Sequence, residues 1–344
     1  MNRFSALTSS CRTVFACLLF CVLLAWSHYA QAEHPVPTIL RGPAFSDPDE
    51  LTDKPESWQQ QPIRYREQDQ GAEVVLLLDQ NIYPGLLPLV QEFARNHKIN
   101  VLVREGTCGP AAEGINRKEV DVGGSCCPAA KVDRLPGLQW HTIGISPLAM
   151  LVNAADPVQQ LTTEQVRDIY RGKINRWSQL PGVGSLYSKD LLIRPVTRLH
   201  CKFRPGHWRL ILDHEDQFGS RINEVGTILD MVTTVAKNPG SFGYLENWQL
   251  LTEPRFKKSL KAISINGENP HDLNTLKEGR YPFYWVYNVS TWSSDHLSNP
   301  KAQQLVQYLI DQAERIDPAL HLVSAGELRK KGWKFRGNEL VGEP

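Results

Sequence analysis

The chain has 344 residues, with 38 Lys and Arg against 37 Asp and Glu. This near-neutral balance argues against a general nucleic-acid binder, which carries a strong basic excess. The length is enough for two lobes with a core in each, and beyond the first 32 residues no stretch is apolar enough to span a bilayer, which needs roughly 20 residues.

Arg3 and Arg12 form a positive N-terminal region, and Val14 to Trp26 an apolar run of signal-peptide length. Ala30-Gln31-Ala32 then gives the small-x-small pattern that signal peptidase reads, so residues 1–32 are expected to be removed and the chain released into the periplasm. An uncleaved anchor would need a longer run, and Val14-Phe15-Ala16-Cys17 and Leu19-Phe20-Cys21 match a lipobox only loosely. Removing the leader takes Cys11, Cys17 and Cys21 with it and leaves Cys108, Cys126, Cys127 and Cys201. An even number in an oxidising compartment reads first as two disulfides.

Residues 33–71 are rich in Pro, Gln and charge without periodicity, and are expected to form an extended arm. Val74 to Leu78 is a continuous apolar run, as in a strand covered on both faces. Leu86 to His97 reads as a helix with Leu86, Leu89, Val90 and Phe93 on one face, and Val101-Leu102-Val103 as the next strand. Pro110, after Gly106-Thr107-Cys108-Gly109, is placed for the first turn of a helix running through Ile115. Val120-Asp121-Val122 is a further strand, followed by Gly123-Gly124-Ser125-Cys126-Cys127-Pro128, where Pro128 is again placed to open a helix. Trp140 to Val152 reads as strand, break at Pro147, strand, and Leu161-Thr162-Thr163-Glu164-Gln165 as a capped helix start ending at Gly172. Such alternation predicts an α/β fold with mainly parallel sheets flanked by helices, and ligands at strand C-terminal ends.

Leu161 to Leu180, LTTEQVRDIYRGKINRWSQL, resembles a block of the phosphate-type periplasmic binding proteins of ABC importers. Other landmarks of that family follow in order. They are Gly114 to Gly124, Val152-Asn153 before Asp156-Pro157, Arg194-Pro195-Val196 before Arg198, Asn238 to Tyr244, Ile265-Asn266-Gly267 and Gly279 to Pro282. The resemblance spans roughly residues 72–312. It implies a hinged, two-lobed, type-II binding protein that closes on an oxyanion, with lobe one from 72–150 and 245–335, lobe two from 151–244, and a tail at 336–344. An ABC permease or a sensor protein would be the partner, a small inorganic ligand the solute, and the protein itself a monomer.

The loops that hold the oxyanion in that family are altered here. The first is Asp79-Gln80-Asn81, whose carboxylate would repel phosphate unless neutralised. The second keeps its glycines and Thr107 but adds Cys108, and the third is Ser125-Cys126-Cys127-Pro128. Of the fourth only Arg198 carries over, followed by Leu199, His200 and Cys201. All four mature cysteines thus lie on segments that the resemblance places at the cleft. Cys108, Cys126, Cys127 and Cys201 with His200 form a soft ligand set suited to copper or zinc, with Asp79, His141 and His207 as weaker additions. Helix N-termini after Cys108 and Cys127 would lower their thiol pKa values.

The main expectation is therefore a periplasmic solute-binding or sensory protein whose ligand is a thiophilic metal or thiol-reactive oxyanion, contacted by Thr107, Cys108, Ser125, Cys126, Arg198, His200 and Cys201. One alternative keeps phosphate as ligand and bridges the cysteines, for example between the Cys108 loop and the Cys126-Cys127 loop. Another is an envelope interaction or redox partner using the arm and the tail. The sequence contains no C-x-x-C, H-E-x-x-H, P-loop or G-x-S-x-G motif, so no enzyme is expected. Asp213-His214-Glu215-Asp216 reads as a solvated helix end, Tyr281 to Trp285 as core or hinge packing, and Asn288-Val289-Ser290 as a formal glycosylation sequon.

Overall fold

The structure, a computed structural model, describes residues 45–187, 190–199, 211–212 and 215–344. The apolar run after Glu73 forms strand β1 (Val74–Asp79), all six of whose residues are buried. Its two faces go to different cores. Val74, Leu76 and Leu78 pack in one cluster with Leu86, Leu89, Val90 and Phe93 of helix α1 (Tyr83–His97), while Val75 and Leu77 join Ala111 and Ile115 of helix α2 (Cys108–Asn116) in another. Coverage on both sides explains why the strand reads as a continuous run rather than an alternation. Each such aliphatic side chain contributes about 1.5–3 kcal/mol.

β1 pairs in parallel with β2 (Val101–Gly106) on one side and β3 (Val122–Ser125) on the other. Beyond β3 the sheet turns antiparallel through β12 (Tyr284–Trp292), β4 (Leu138–Pro147) and β13 (Val323–Ser324), giving the order β13-β4-β12-β3-β1-β2. A second sheet has the order β10-β5-β9-β7-β8, built from β5 (Ala149–Asn153), β7 (Arg194–Thr197), β8 (Asn223–Glu224), β9 (Ser241–Leu245) and β10 (Leu260–Ala262). Here too parallel pairing is confined to one side, β9-β7-β8. The sheets are thus mixed. Strands returning from the second lobe add in reverse, which local βα alternation does not reveal. β6 (Gln160–Leu161) and β11 (Ser264–Ile265) form a small parallel pair, and β14 (Lys334–Arg336) and β15 (Glu339–Gly342) a hairpin near the C-terminus. Within the segment 245–335 expected to return to lobe one, β10 still pairs with β5.

The chain passes between the sheets at Leu148, between β4 and β5, which is the break that Pro147 marks. Backbone groups at the crossing are met by neighbours: Leu148 N–H donates to Phe283 O (2.9 Å), Tyr281 Oη to Leu148 O (3.1 Å) and Trp248 Nε1 to Pro147 O (2.8 Å). Tyr281, Phe283, Tyr284 and Trp285 are all buried here, as hinge packing requires. In the second lobe, helix α3 (Thr163–Tyr170) begins with the capping box read from the sequence: Gln165 N–H donates to Thr162 Oγ1 (3.1 Å) and Thr162 N–H to Gln165 Oε1 (2.7 Å). Gly172 has φ +78°, the left-handed conformation that stops the chain from continuing as helix. Helix α4 (Ile228–Lys237) covers the sheet with Met231, Val232 and Val235.

Residues 45–71 lie against lobe one. Lys118 closes the α2 turn and has its side chain buried, donating from Nζ to the carbonyls of Trp58 (2.6 Å), Gln59 (3.1 Å) and Gln61 (2.8 Å), with the ammonium 4.2 Å from the centre of a Trp58 ring. Lys118 has φ +55°, a conformation a glycine would take more cheaply. A lysine stands there because its charge holds three carbonyls. Lys118→Ala is therefore expected to destabilise the protein by about 2–4 kcal/mol in urea unfolding and to expose 56–61 to proteolysis. Unchanged stability and cleavage would refute the clasp.

Candidate functional site

The parallel alignment of β1, β2 and β3 places their C-terminal ends side by side. β1 ends in Asp79, β2 leads through Thr107 into Cys108, the first residue of α2, and β3 ends at Ser125 before Cys126 and Cys127. Three segments separated in sequence thus meet. Cys108 Sγ lies 3.3 Å from Cys126 Sγ and 3.3 Å from Asp79 Oδ2, and Cys126 Sγ lies 4.0 Å from Cys127 Sγ. All three cysteines are buried, and their sulfurs lie within 4.8 Å of one another. None is joined to another in a disulfide, which would bring sulfurs to about 2.05 Å. The bridge between the Cys108 loop and the Cys126-Cys127 loop, expected in one reading of the sequence, is not formed.

The Cys126-Cys127 turn is pinned from outside. Cys127 O accepts from Asn288 Nδ2 (2.9 Å) and Ser125 Oγ (3.0 Å). Asn288 Oδ1 accepts from Thr142 Oγ1 (2.7 Å), which itself accepts from Leu340 N–H (2.9 Å). Asn288, formally a sequon residue, is thus a buried strut on β12. Thr107 caps α2 with its backbone alone; its side chain makes no capping hydrogen bond.

Burial, then the Cys108 charge, holds the Asp79 carboxyl well above the usual carboxylate range. That shift weakens the repulsion which the sequence suggested against an anion. The Cys126 thiol is also pushed well up, first by its hydrogen bond with Cys108. The helix start expected after Cys127 is not formed. Cys108 does open α2, but after Cys127 the chain runs as a loop through Pro128 to a single 3-10 turn, Lys131–Asp133. No helix begins directly after the Cys126-Cys127 turn.

From lobe two, Arg198 follows β7 and forms an ion pair with Glu246, both buried. Arg198 N–H donates to Tyr244 Oη (2.9 Å), which lies 3.2 Å from Thr197 Oγ1. Burial raises Glu246 to about 7; Arg198 pulls it back, and Cys108 adds to the rise. The influence of Cys108 on Glu246 links the two lobes electrostatically. His200, Cys201 and His207 lie outside the described residues, as do Asp213 and His214. His141 stands apart from the thiols, lining a separate cavity of about 410 Å³ with Arg134 and Arg336. A cavity of about 450 Å³ runs beside α2 past Ala111, Ile115, Leu135 and Trp140 to Cys108, Ser125 and Cys127.

Sequence reasoning missed Glu246, Asn288 and Thr142. Glu246 had a signal: a carboxylate directly after the apolar β9 run. Asn288 and Thr142 had none, since a polar residue in a strand declares its partner only once the strands are paired.

A family model described as a PBP superfamily domain matches residues 66–313. The phosphate-binding protein PstS of Bacillus subtilis (strain 168) is 24% identical over 230 residues, 66% of this chain and 71% of that protein. Among solved structures, an ABC-type phosphate transport receptor from Vibrio cholerae has a TM-score of 0.57 at 18% identity, covering 73% of this chain and 99% of its own. A putative phosphate ABC transporter substrate-binding protein with bound phosphate, from Clostridium perfringens, has a TM-score of 0.58 at 16% identity, covering 73% and 98%. At these identities the structures bear on the fold, and they match its two-lobed α/β form.

Protein purified without reductant and then denatured is expected to titrate with at least three thiols. Two or fewer would mean that the cluster is bridged. His141 supplies a pH test. Burial lowers its pKa to about 4 from 6.5, and neither ring nitrogen has a hydrogen-bond partner among the described residues. Its stabilising contribution is full above pH 6.5 and is lost as pH falls towards 4, on the order of 2–3 kcal/mol. Urea unfolding of His141→Phe should show a correspondingly smaller acid loss; an identical pH profile would rule this out.

Proposed function

The chain belongs to the PBP superfamily domain family, and on that premise we propose that it is a monomeric extracytoplasmic solute-binding protein of an ABC importer, closing on an oxyanion of the phosphate class. The observation that carries this reading is Arg198. It is the one residue of the family-like fourth loop that carries over from the resemblance, and its guanidinium is buried and held by Glu246 and its backbone by Tyr244. Lobe one would supply the N-terminus of α2, the Thr107 hydroxyl and Ser125 at the end of β3. Backbone N–H groups at a helix start, hydroxyls and one guanidinium form a donor set for a tetrahedral anion. A neutral Asp79 would act there as a donor to the anion rather than a repelling charge.

Support also comes from the relatives, which are named as phosphate binders or receptors. Those names offer nothing for the thiophilic solute that the cysteines first suggested, so phosphate, the alternative at that stage, becomes the preferred ligand class. Closure would be a hinge motion at the Leu148 crossing, biased by an anion that touches both lobes. An importer permease would then receive the closed form. The sequence-level leader at residues 1–32 lies outside the described residues; among those described, no helix is long and apolar enough to cross a membrane.

Calorimetric titration with phosphate, arsenate and sulfate tests this. Binding of phosphate is expected, weakened about 10- to 100-fold in Arg198→Gln, the equivalent of one charged hydrogen bond. Because that change leaves Glu246 buried without its cation, the double variant Arg198→Gln/Glu246→Gln serves as the folded control. No heat with any of the three anions, or equal affinity in the double variant, would overturn the reading.

A further inference from the structure

Ser125, Asn288 and Thr142 lie in one row across the lobe-one sheet. Asn288 on β12 stands opposite Ser125 on β3 and opposite Thr142 on β4. We infer that Asn288, its amide oriented by Thr142 and the C-terminal hairpin, is a positioning residue that frees the Ser125 hydroxyl for the oxyanion. The inference rests on the oxyanion reading of the cleft and adds to it a residue that acts through Ser125.

The direction of each hydrogen in this row is fixed from one end. Leu340 on β15 offers a backbone N–H, which can only donate, and it donates to Thr142 Oγ1 (2.9 Å). The Thr142 hydroxyl in turn donates to Asn288 Oδ1 (2.7 Å). With its oxygen so occupied, the Asn288 amide presents Nδ2 to Cys127 O (2.9 Å). The reversed amide would set Oδ1 against the Cys127 carbonyl, two acceptors with no hydrogen between them.

The hairpin that sets this direction is itself anchored. Asn338 O accepts from Thr142 N–H (2.8 Å), and the Glu339 carboxylate accepts from both terminal nitrogens of the buried Arg134 (3.1 and 2.7 Å). These hairpin residues lie beyond residue 313, where the match to the family model ends. The pairing of β4 with β12 also skips a residue at this point, with Gly144 opposite Tyr287 and Thr142 opposite Asn288. Irregularities of this kind re-aim a side chain.

Ser125 Oγ donates to the same Cys127 carbonyl (3.0 Å), so the hydrogen that an anion needs is already in use. A carbonyl oxygen has two lone pairs and accepts both donors. When an anion draws the Ser125 hydrogen to itself, the Asn288 amide stays on Cys127 O and keeps a donor there. Without Asn288 the row supplies no replacement. The hydroxyl is then held back, because taking a donor from a buried carbonyl is costly.

The test is calorimetry with phosphate on the full mature chain, run as a double-mutant cycle. Thr142→Val keeps the shape, loses the hydroxyl, and should weaken phosphate binding about 5- to 10-fold, the worth of one hydrogen bond. Thr142→Ser, which keeps the hydroxyl, should restore the wild-type affinity. In a Ser125→Ala background Thr142→Val should change the affinity less than about 2-fold, since the group it acts through is gone. Asn288→Ala should give the same cycle and serves as the second variant; melting curves establish which variants fold. Equal weakening with and without Ser125, no weakening in either folded variant, or no rescue by serine would overturn the inference. Side-chain amide NMR of the anion-free protein reads the relay by itself: an Asn288 Nδ2 hydrogen should exchange slowly in the wild type and faster in Thr142→Val. Phosphate binding without that pattern sinks this inference alone. A wild type that shows the pattern but binds no phosphate sinks the oxyanion reading, and the positioning role falls with it.

Discussion

The hydrogen bonding of β1 between β2 and β3 is the constraint on which the site depends. It converts three stretches of chain, with Asp79 and Cys108 29 residues apart and Cys108 and Cys126 18 apart, into neighbours within 3.3 Å. The pairing is itself driven by the two-sided burial of Val74 to Leu78, which only the middle of a sheet can satisfy. Parallel strands all end at the same edge, so each following loop empties onto one spot. A register slip of β3 against β1 would turn the Gly123-Gly124 approach and move Ser125 away from that edge. There is little room for such a slip: a Cβ at Gly124 would stand 2.7 Å from a Leu78 methyl and 3.2 Å from its Cα.

Among the described residues, strands run from one lobe into the other. β4 crosses into β5 with Leu148 as the only residue between them, and β9 comes back directly into Glu246. Both crossings are tied by side chains with fixed partners, Trp248 on Pro147 and Tyr281 on Leu148. The Trp248 ring also stacks on His321, 4.0 Å between centroids. Glu246 therefore sits where the crossing leaves the second sheet, and its pair Arg198 sits one residue beyond β7 in the same sheet. A buried ion pair is weak evidence for stability, because desolvation offsets most of the attraction. Its value here lies in holding a guanidinium at the junction of the lobes without leaving it uncompensated.

Much of the scaffold was legible in the sequence. The apolar run at β1, the Leu86–Phe93 face, the Thr162 cap with Gln165, and the break at Pro147 each have a local cause, and local causes can be read one residue at a time. The antiparallel additions of β12, β4 and β13 could not be read that way, because direction within a sheet is set by where a distant segment returns. The same division holds at the site. The convergence of Cys108, Cys126 and Cys127 was readable through the resemblance, whereas their state was not. The tight Gly-Ser-Cys-Cys-Pro sequence suggested a helix start after Cys127, but the Cys127 carbonyl is already taken by Ser125 and Asn288. The turn is held in place by β12, and the chain leaves it as a loop.

Fold and ligand must for that reason be argued separately. Of the cradle implied by the resemblance, the backbone parts persist: the strand ends, the start of α2 and the crossing at Leu148. At the lobe-one strand ends its side chains have been exchanged for thiols and a carboxyl whose pKa burial holds high. The raised pKa values of Asp79 and Cys126 favour their protonated forms, which tolerate burial without a counter-ion. It also leaves Arg198–Glu246 as the one fully buried ion pair across these loops among the described residues. Any anion that enters must compete with Glu246 for the guanidinium, and any cation must displace protons from sulfur.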